Sequence, residues 1–380
     1  MIAANRLHTV QEYYFSRKLK EVAALAAQGK PIINMGIGSP DLAPPEAVVT
    51  ALQQGLSHPK AHQYQSYIGL PELRAAIATF YQSKYDVSLD AISEVLPLMG
   101  SKEGIMHISM AFLNPGDEVL IPNPGYPTYS SVTSLVEARP RYYNLSATNG
   151  WLPDLDALAK EDLSAVKLLW INYPHMPTGA LATPAFYEEL IAFAKAYNIL
   201  IVNDNPYSFI GSHKPQSLLA VPGAKDVAIE LNSLSKTFNM AGWRVGMVVG
   251  KDTILAQILK VKSNMDSGMF YAVQQGAIAA LTIENQWFDT LNEIYTRRRK
   301  ALLKLVELLG CTAEKETGGL FIWAKLPEGQ SAEVFIDNIL HTHSVFITPG
   351  TVFGSQGEGY IRFSLCVSEE KIEEAISRFV

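Results

Sequence analysis

The sequence predicts an α/β fold: a mostly parallel central sheet with helices on both faces, joined to a smaller α+β domain. Three observations carry this. Between about residues 70 and 250, helical patterns alternate with short, continuously apolar runs of strand length, the rhythm of a parallel sheet covered on both faces. From about residue 285 the rhythm changes to one long helical pattern followed by short strands. The first 35 or so residues hold no strand pattern of the main sheet. The chain therefore divides into an N-terminal segment, 1–44, expected to pack with the small domain, a large domain, 45–284, and a small C-terminal domain, 285–380.

The elements run in order along the chain. "PELRAAIATFYQSKY" (71–85) reads as helix, "EVLPLM" (94–99) as strand, "SKEGIMHISMAFL" (101–113) as helix and "DEVLIPN" (117–123) as strand. Then come the strand "AVKLLWINY" (165–173), the helix "PAFYEELIAFAKAYN" (184–198), and the strands "ILIVND" (199–204), "VAIELNS" (227–233) and "RVGMVVG" (244–250). The long pattern at 285–310 is helical, and "LFIWAKL" (320–326), "VFITPG" (345–350) and "YIRFSL" (360–365) are strands of the small domain. No Pro/Gly/Ser-rich linker separates the domains, so their interface should be tight.

Composition narrows the function classes. With 380 residues, 48% of them hydrophobic, the chain can bury a sizeable core. Lys plus Arg number 31 against 37 Asp plus Glu, a net charge of −6, too mild and too evenly spread to imply a nucleic-acid or membrane partner. Two cysteines, Cys311 and Cys366, form neither a disulfide framework nor a metal-ligand spacing, which favours a reducing compartment. The N-terminus lacks the design of a signal peptide, and no apolar run approaches the roughly 18 residues of a membrane helix. A cytoplasmic location is the expectation.

In open α/β sheets, ligands sit beyond the carboxyl ends of the strands. The residues just past each strand here are informative. After "EVLPLM" comes a glycine-flanked turn opening a helix, Gly100, Ser101, Lys102, whose free amides suit a phosphate. After "DEVLIPN" a Pro-Gly turn presents Tyr126, "ILIVND" ends on Asp204 with Tyr207 three residues on, and "VAIELNS" delivers Ser233, Ser235 and Lys236. Each alone has an ordinary reading: a solvated lysine, a capping aspartate, a packed tyrosine, a surface Arg244. Together they converge on one rim. One small molecule asks for all of them: pyridoxal 5′-phosphate needs an amine for its aldehyde, an anion for its ring nitrogen, donors for its phenolate oxygen, a flat neighbour, and amides, hydroxyls and a cation for its phosphate.

With these residues in place, the sequence resembles the class I/II aminotransferases, pyridoxal-phosphate enzymes of fold type I. "MGIGSPD", "YQSYIGLPELRAAIA", "PNPGYPTY", "PTGA", "SLSKTFNMAGWRVG", "PGTVFG" and "GEGYIRFSL" resemble family blocks in family order over nearly the whole length. The resemblance implies that Lys236 forms the internal aldimine and shuttles the proton, that Asp204 holds the ring-nitrogen proton, and that Tyr207 donates to the phenolate oxygen. It implies Tyr126 stacked on the ring, with Gly100, Ser101, Lys102 (through its amide), Ser233, Ser235 and Arg244 around the phosphate. Tyr64 would reach the neighbouring subunit's phosphate, so a homodimer is implied. Arg362 would clamp the substrate α-carboxylate as a bidentate fork, helped by backbone near Gly38 and Ile37.

The match has one gap. Where the family usually places asparagine before Pro-Thr-Gly, this chain has Met176, and a thioether cannot donate a hydrogen bond. Met176 either packs against the ring, or its lost donor raises the aldimine pKa relative to an asparagine version. Asn172, four residues upstream, is expected to tether backbone, and His175 to be structural.

Other features read plainly. "HTH" at 341–343 puts two histidines at strand spacing without a further ligand, so no metal is expected. "TRRRK" at 296–300 reads as the solvated face of the long helix, and "GSQGEG" as a hairpin loop.

The expected function is amino transfer between an L-amino acid and a 2-oxo acid by a ping-pong aldimine/ketimine cycle. The alternatives are a pyridoxal-phosphate β-lyase on the same scaffold and a non-catalytic aminotransferase-like domain. The stretch "SNMDSGMFYAVQQGAIAAL" resembles the subgroup of LL-diaminopimelate, aspartate and alanine aminotransferases. No second cation for a dicarboxylate is evident in the sequence. Phe270, Tyr271, Tyr67 and Ile37 are candidates for an apolar pocket.

Overall fold

The computed structural model of the protein describes residues 3–9, 14–211 and 214–380. Strand β1 (Ile33–Asn34) stands apart from the large sheet. That sheet comprises β2 (Val95–Leu98), β3 (Glu118–Asn123), β4 (Arg139–Asn144), β5 (Val166–Ile171), β6 (Leu200–Asp204), β7 (Ala228–Ser233) and β8 (Gly246–Gly250), in the order β2-β8-β7-β6-β5-β3-β4. Strands β3 to β7 run parallel, and β8 is antiparallel to both β7 and β2.

Side chains alternate across a strand, and the two faces feed two cores. Leu169, Ile171 and Ile201 pack on one side, Leu168, Trp170 and Val202 on the other. This double burial is why the strands read as unbroken apolar runs. β4 escaped that reading because it is an edge strand with exposed Arg139 and half-exposed Tyr142, so it has no apolar run to see. The helices Pro71–Tyr85 and Pro184–Tyr197 both start on proline and end on a left-handed residue, Asp86 and Asn198, which is how these sequences stop a helix sharply.

The C-terminal elements are β9 (Thr312–Ala313), β10 (Phe321–Lys325), β11 (Val345–Phe346), β12 (Thr348–Pro349) and β13 (Tyr360–Ser364). Four of them form an antiparallel sheet, β12-β13-β10-β9, while β11 pairs with β1 in parallel, Ile33 opposite Val345. Arg362 therefore lies on an inner strand, opposite Trp323 and Thr348. The helix Tyr14–Ala27 lies against the helix Ala332–His343: Lys18 Nζ reaches Asp337 at 2.6 Å, and Val22 packs with Leu340.

Two sequence expectations change. The "TRRRK" run is not uniformly solvated, because its middle faces inward from the helix Gln286–Leu308. Arg298 is buried and grips both oxygens of Asp41 at 2.7 and 2.8 Å, and Arg299 donates to Thr317 and to the carbonyls of Gly319 and Phe321. Burial lowers the Arg299 pKa to about 10. These arginines fasten the long helix to the segments around Asp41 and Gly319. The histidines of "HTH" sit in the last turn of a helix rather than at strand spacing, with His341 Nε2 3.4 Å from Glu21 and His343 Nδ1 2.8 Å from the Arg378 carbonyl.

Candidate active site

A cavity of about 590 Å³ opens beyond the carboxyl ends of the large-sheet strands, where the small sheet meets them. Ile37, Gly38, Ser101, Lys102, Tyr126 and Asn172 line it, and so do Met176, Asp204, Tyr207, Ser233, Ser235, Lys236, Arg244 and Arg362. Fourteen of the residues singled out in the sequence thus meet in one place.

Lys236 sits in the short helix Leu234–Thr237 directly after β7. Its ammonium donates to the Gly38 carbonyl at 2.6 Å. Burial lowers its pKa; Arg362 and Arg244 act the same way, and Cys366 and Asp204 oppose them. The amine is thereby biased toward the neutral form a nucleophile requires. Gly38 is constrained by space: a Cβ there would lie 2.3 Å from the Phe321 ring, so only glycine lets this loop carry its carbonyl to the lysine.

Asp204 ends β6 and is buried. Burial pushes its pKa up to about 6, against a hydrogen bond from Tyr129 Oη to Oδ2 at 2.9 Å. The other oxygen, Oδ1, is buried without a hydrogen-bond partner among the described residues. A buried acceptor left open at a cavity wall calls for a donor. A protonated ring nitrogen is such a donor.

Gly100 caps the helix Ser101–Phe112 with φ +93, and a Cβ there would lie 2.2 Å from Arg244 Nη2. The glycine lets the guanidinium press against the helix N-terminus, which adds a fixed cation to the free amides. Burial, then Arg244, lowers the Lys102 pKa. Arg362 is held between rings, its guanidinium carbon 3.9 Å from the Phe321 centroid and 4.5 Å from that of Phe353, with Nη2 donating to Gly36 O at 2.8 Å and Nη1 to Met176 Sδ at 3.3 Å.

Asn172 lines the cavity, but its amide is engaged with backbone: Nδ2 donates to the Asp204 carbonyl and Oδ1 accepts from Met176 N. His175 is buried against Thr178, and burial lowers its pKa to about 3. Tyr64 lies outside this chain's cavity and is 92% exposed. Of the four apolar-pocket candidates only Ile37 lines the cavity; Tyr67 and Phe270 are surface residues and Tyr271 stacks on His58. The "GSQGEG" segment joins the antiparallel pair β12 and β13 and packs on Asn123 rather than lining the cavity.

Sequence reading missed Leu19, Tyr129, Pro206, Ala241, Phe321 and Phe353 in the lining. Tyr129 had a signal, since it stands one helical turn after Tyr126; the others had none. Near the helix that carries Ser101, Glu103, His107 and Asp266 bring ligand atoms within 4.8 Å of one another. The buried Lys262 ammonium, 2.8 Å from Asp266, supplies a positive charge there.

Residues 30–379 match the family model described as aminotransferase class I and II. The chain belongs to this family. Its members are pyridoxal-phosphate-dependent transaminases, and the unpartnered Asp204 oxygen, the half-buried Lys236 amine and the cationic helix N-terminus fit that cofactor. The chain is 43% identical to the LL-diaminopimelate aminotransferase of Maridesulfovibrio salexigens over 99% of its own length and 97% of the relative's. It is 41% identical to the enzyme of that name from Aquifex aeolicus, with the same coverage. In structure it is similar to apo-BacF from Bacillus subtilis, with a TM-score of 0.96, 36% identity and coverage of 100% and 97%. The chain is thus a transaminase of the subgroup that contains the LL-diaminopimelate aminotransferases, and nothing favours a lyase.

Proposed function

We propose that this cavity is where the chain exchanges an amino group between an L-amino acid and a 2-oxo acid, with Lys236 as the residue that holds the cofactor and carries the proton. The observation that supports this most directly is the pairing of a half-buried lysine of lowered pKa with a buried aspartate that keeps one oxygen open. When bound, pyridoxal phosphate supplies an aldehyde that condenses with amines and a protonated ring that accepts the electron pair released at the substrate α-carbon.

The chain's residues have the remaining tasks. Asp204 Oδ1 would accept a hydrogen bond from the protonated ring nitrogen and, as an anion, hold the proton there. The Lys236 amine, its pKa lowered chiefly by burial, takes the α-proton and returns it one carbon away. Tyr126 supplies a flat face, and the Tyr207 hydroxyl, its pKa raised chiefly by burial, remains a donor for the phenolate oxygen. Ser101, Ser233, Ser235, Arg244 and the Lys102 amide receive the phosphate. Arg362, stacked between Phe321 and Phe353 and fixed by Gly36, presents its fork to the α-carboxylate. The exposed Tyr64 serves the neighbouring subunit in a homodimer, and the enzyme acts in the cytoplasm. No described helix is long and apolar enough to cross a membrane.

The test is direct. Borohydride reduction of the holoenzyme followed by peptide mapping should label Lys236, and one amino acid given alone should convert the bound cofactor stoichiometrically to its amine form. A label elsewhere refutes the assignment.

A further inference from the structure

We infer that Asn123 is a positioning residue for the carboxylate clamp: it pins the loop that carries Phe353 to the end of β3, and so holds one of the two rings between which Arg362 is stacked. This rests on Arg362 being the group that takes the α-carboxylate. The two rings are supported unequally. Phe321 belongs to β10 and is fixed by that strand's ladder with β13. Phe353 stands on the connection from β12 to β13, at the end of the turn Gly350–Phe353, with its ring centroid 4.5 Å from the guanidinium carbon.

The large sheet supplies the support that this connection lacks. Asn123 ends β3 and is 5% exposed, yet it does not line the cavity. Its Oδ1 accepts from Gln356 N at 3.1 Å, and a backbone N–H can only donate, which fixes the orientation of the amide. Nδ2 then gives its two hydrogens to Ser355 Oγ and Asn144 Oδ1, each at 2.9 Å. Asn144 stands opposite Asn123 in the β3–β4 register, so the amide is tied to the sheet on one side and to the loop on the other. Two further features fit this junction. Gly125 N donates to the Phe353 carbonyl at 2.7 Å. Gly354 has φ +126, and a Cβ there would lie 2.2 Å from Asn123 Oδ1, so a side chain would push the loop off the amide. Tyr126, by contrast, is held by the helix Pro127–Leu135 that it caps. Loss of the Asn123 contacts thus acts on the clamp and spares the cofactor's groups.

The experiment uses the holoenzyme and single-turnover loss of its visible absorbance. L-Glutamate, L-aspartate, L-alanine and L-phenylalanine are each given alone, and the donor that reacts best with the natural enzyme is used throughout. Asn123→Ala should raise the half-saturating concentration of that donor by about tenfold and leave the limiting rate within about threefold. Ser355→Ala, at an exposed position, should raise it by about threefold and add nothing to Asn123→Ala. Should Asn123→Ala not fold, Ser355→Ala decides. The amine left by decarboxylation of the donor offers nothing to Arg362, so it should react equally with natural and variant enzyme, and cofactor affinity by equilibrium dialysis should not change. A half-saturating concentration that stays put in the folded variants, with only the limiting rate or thermal midpoint lowered, makes the contact structural alone and overturns the inference while transamination stands. An equal loss with the decarboxylated amine, or in cofactor affinity, places the effect away from Arg362 and also overturns it. Absorbance of the natural holoenzyme that survives every donor refutes the site itself, and the inference with it.

Discussion

Two carboxylates are buried in neighbouring strands of the large sheet, and they face opposite ways. Asp204 looks into the cavity from the end of β6; Glu230, on β7, pairs in register with Asn203 and so lies on the other face. Glu230 is fully enclosed and fully engaged: Tyr81 Oη donates to Oε1 at 3.0 Å, and Asn203 Nδ2, Ser217 Oγ and Leu218 N donate to Oε2 at 2.9, 3.0 and 3.2 Å. Asp204 has Tyr129 on one oxygen and nothing on the other. Burial raises the pKa of both. The shift is common to the two acids, so it does not mark the functional one; the incomplete donor set does. A buried acid with every acceptor satisfied holds a fold together, and one with an acceptor open toward a cavity awaits a ligand.

The sharpest way to break this contrast is Asp204→Asn. Without the anion the ring nitrogen loses its proton, and kcat/KM should fall by about 10²–10³-fold. The cofactor-free protein should respond in the opposite sense. The Asp204 pKa of about 6 lies above its ordinary 3.8, so the favourable contribution of the protonated acid is complete below the lower value and disappears as pH rises through the upper one. At pH 8 the charged, half-paired carboxylate is a burden of at most about 3 kcal/mol. Asp204→Asn should therefore raise the thermal midpoint of the apoprotein at pH 8, and the gain should vanish below about pH 4. An apoprotein destabilised at pH 8 would show that Asp204 is structural after all.

Glu230→Ala should do the reverse. It strands donors from Tyr81, Asn203 and Ser217 in a dry interior and should lower stability by roughly 3–5 kcal/mol in denaturant titration. The folded fraction should keep its kcat within about twofold. A large loss of kcat without loss of stability would place Glu230 in the chemistry and dissolve the comparison.

Tyr129→Phe sharpens it from the Asp204 side. Tyr129 is stacked on Trp170 at 4.8 Å, so the phenyl ring should remain in place while the donor is lost. The Asp204 pKa should then rise further, leaving less anion near neutrality. Cofactor affinity measured by equilibrium dialysis should drop by roughly tenfold at pH 7, the worth of a hydrogen bond to a charged group. The gap should narrow at pH 9, where Asp204 is ionised in both proteins. An affinity gap that does not vary with pH would mean that the hydroxyl acts through packing.

This contrast also marks how much of the molecule was legible in its sequence. The two-face burial of β3, β5, β6 and β7 wrote itself into the chain as apolar runs, and the rule for strand ends turned those runs into a map of Tyr126, Asp204, Ser233 and Lys236. Arg244 and Arg362 came from family blocks rather than from periodicity. Tyr129 had only its spacing from Tyr126 to mark it; its bond to Asp204, 75 residues away in sequence, leaves no local pattern. Leu19, Phe321 and Phe353 looked like ordinary core residues because they are apolar positions of a helix and of the small sheet's surroundings. Arg298 and Arg299 looked solvated because charge runs usually are; only the tertiary fold brings Asp41 and the carbonyls of Gly319 and Phe321 to meet them.

The smallest effect expected is at Met176, which touches both halves of the site. Its sulfur accepts from Arg362 Nη1 at 3.3 Å, and its backbone amide is held by Asn172. A thioether accepts weakly and never donates. Met176→Asn would keep an acceptor for Arg362 in its carbonyl oxygen and add an amide donor beside the cofactor's oxygen-bearing edge. A donor there withdraws electron density from the oxygen that shares a proton with the lysine-bound nitrogen, so that proton leaves more readily. The pH midpoint of the holoenzyme's visible absorbance change should fall by about half a unit to one unit, equivalent to roughly 0.7–1.4 kcal/mol. Stability should change little, since the two side chains differ modestly in volume and Asn172 continues to tether the turn. A midpoint that stays put or rises in Met176→Asn would show that the methionine only fills space between Arg362 and the ring.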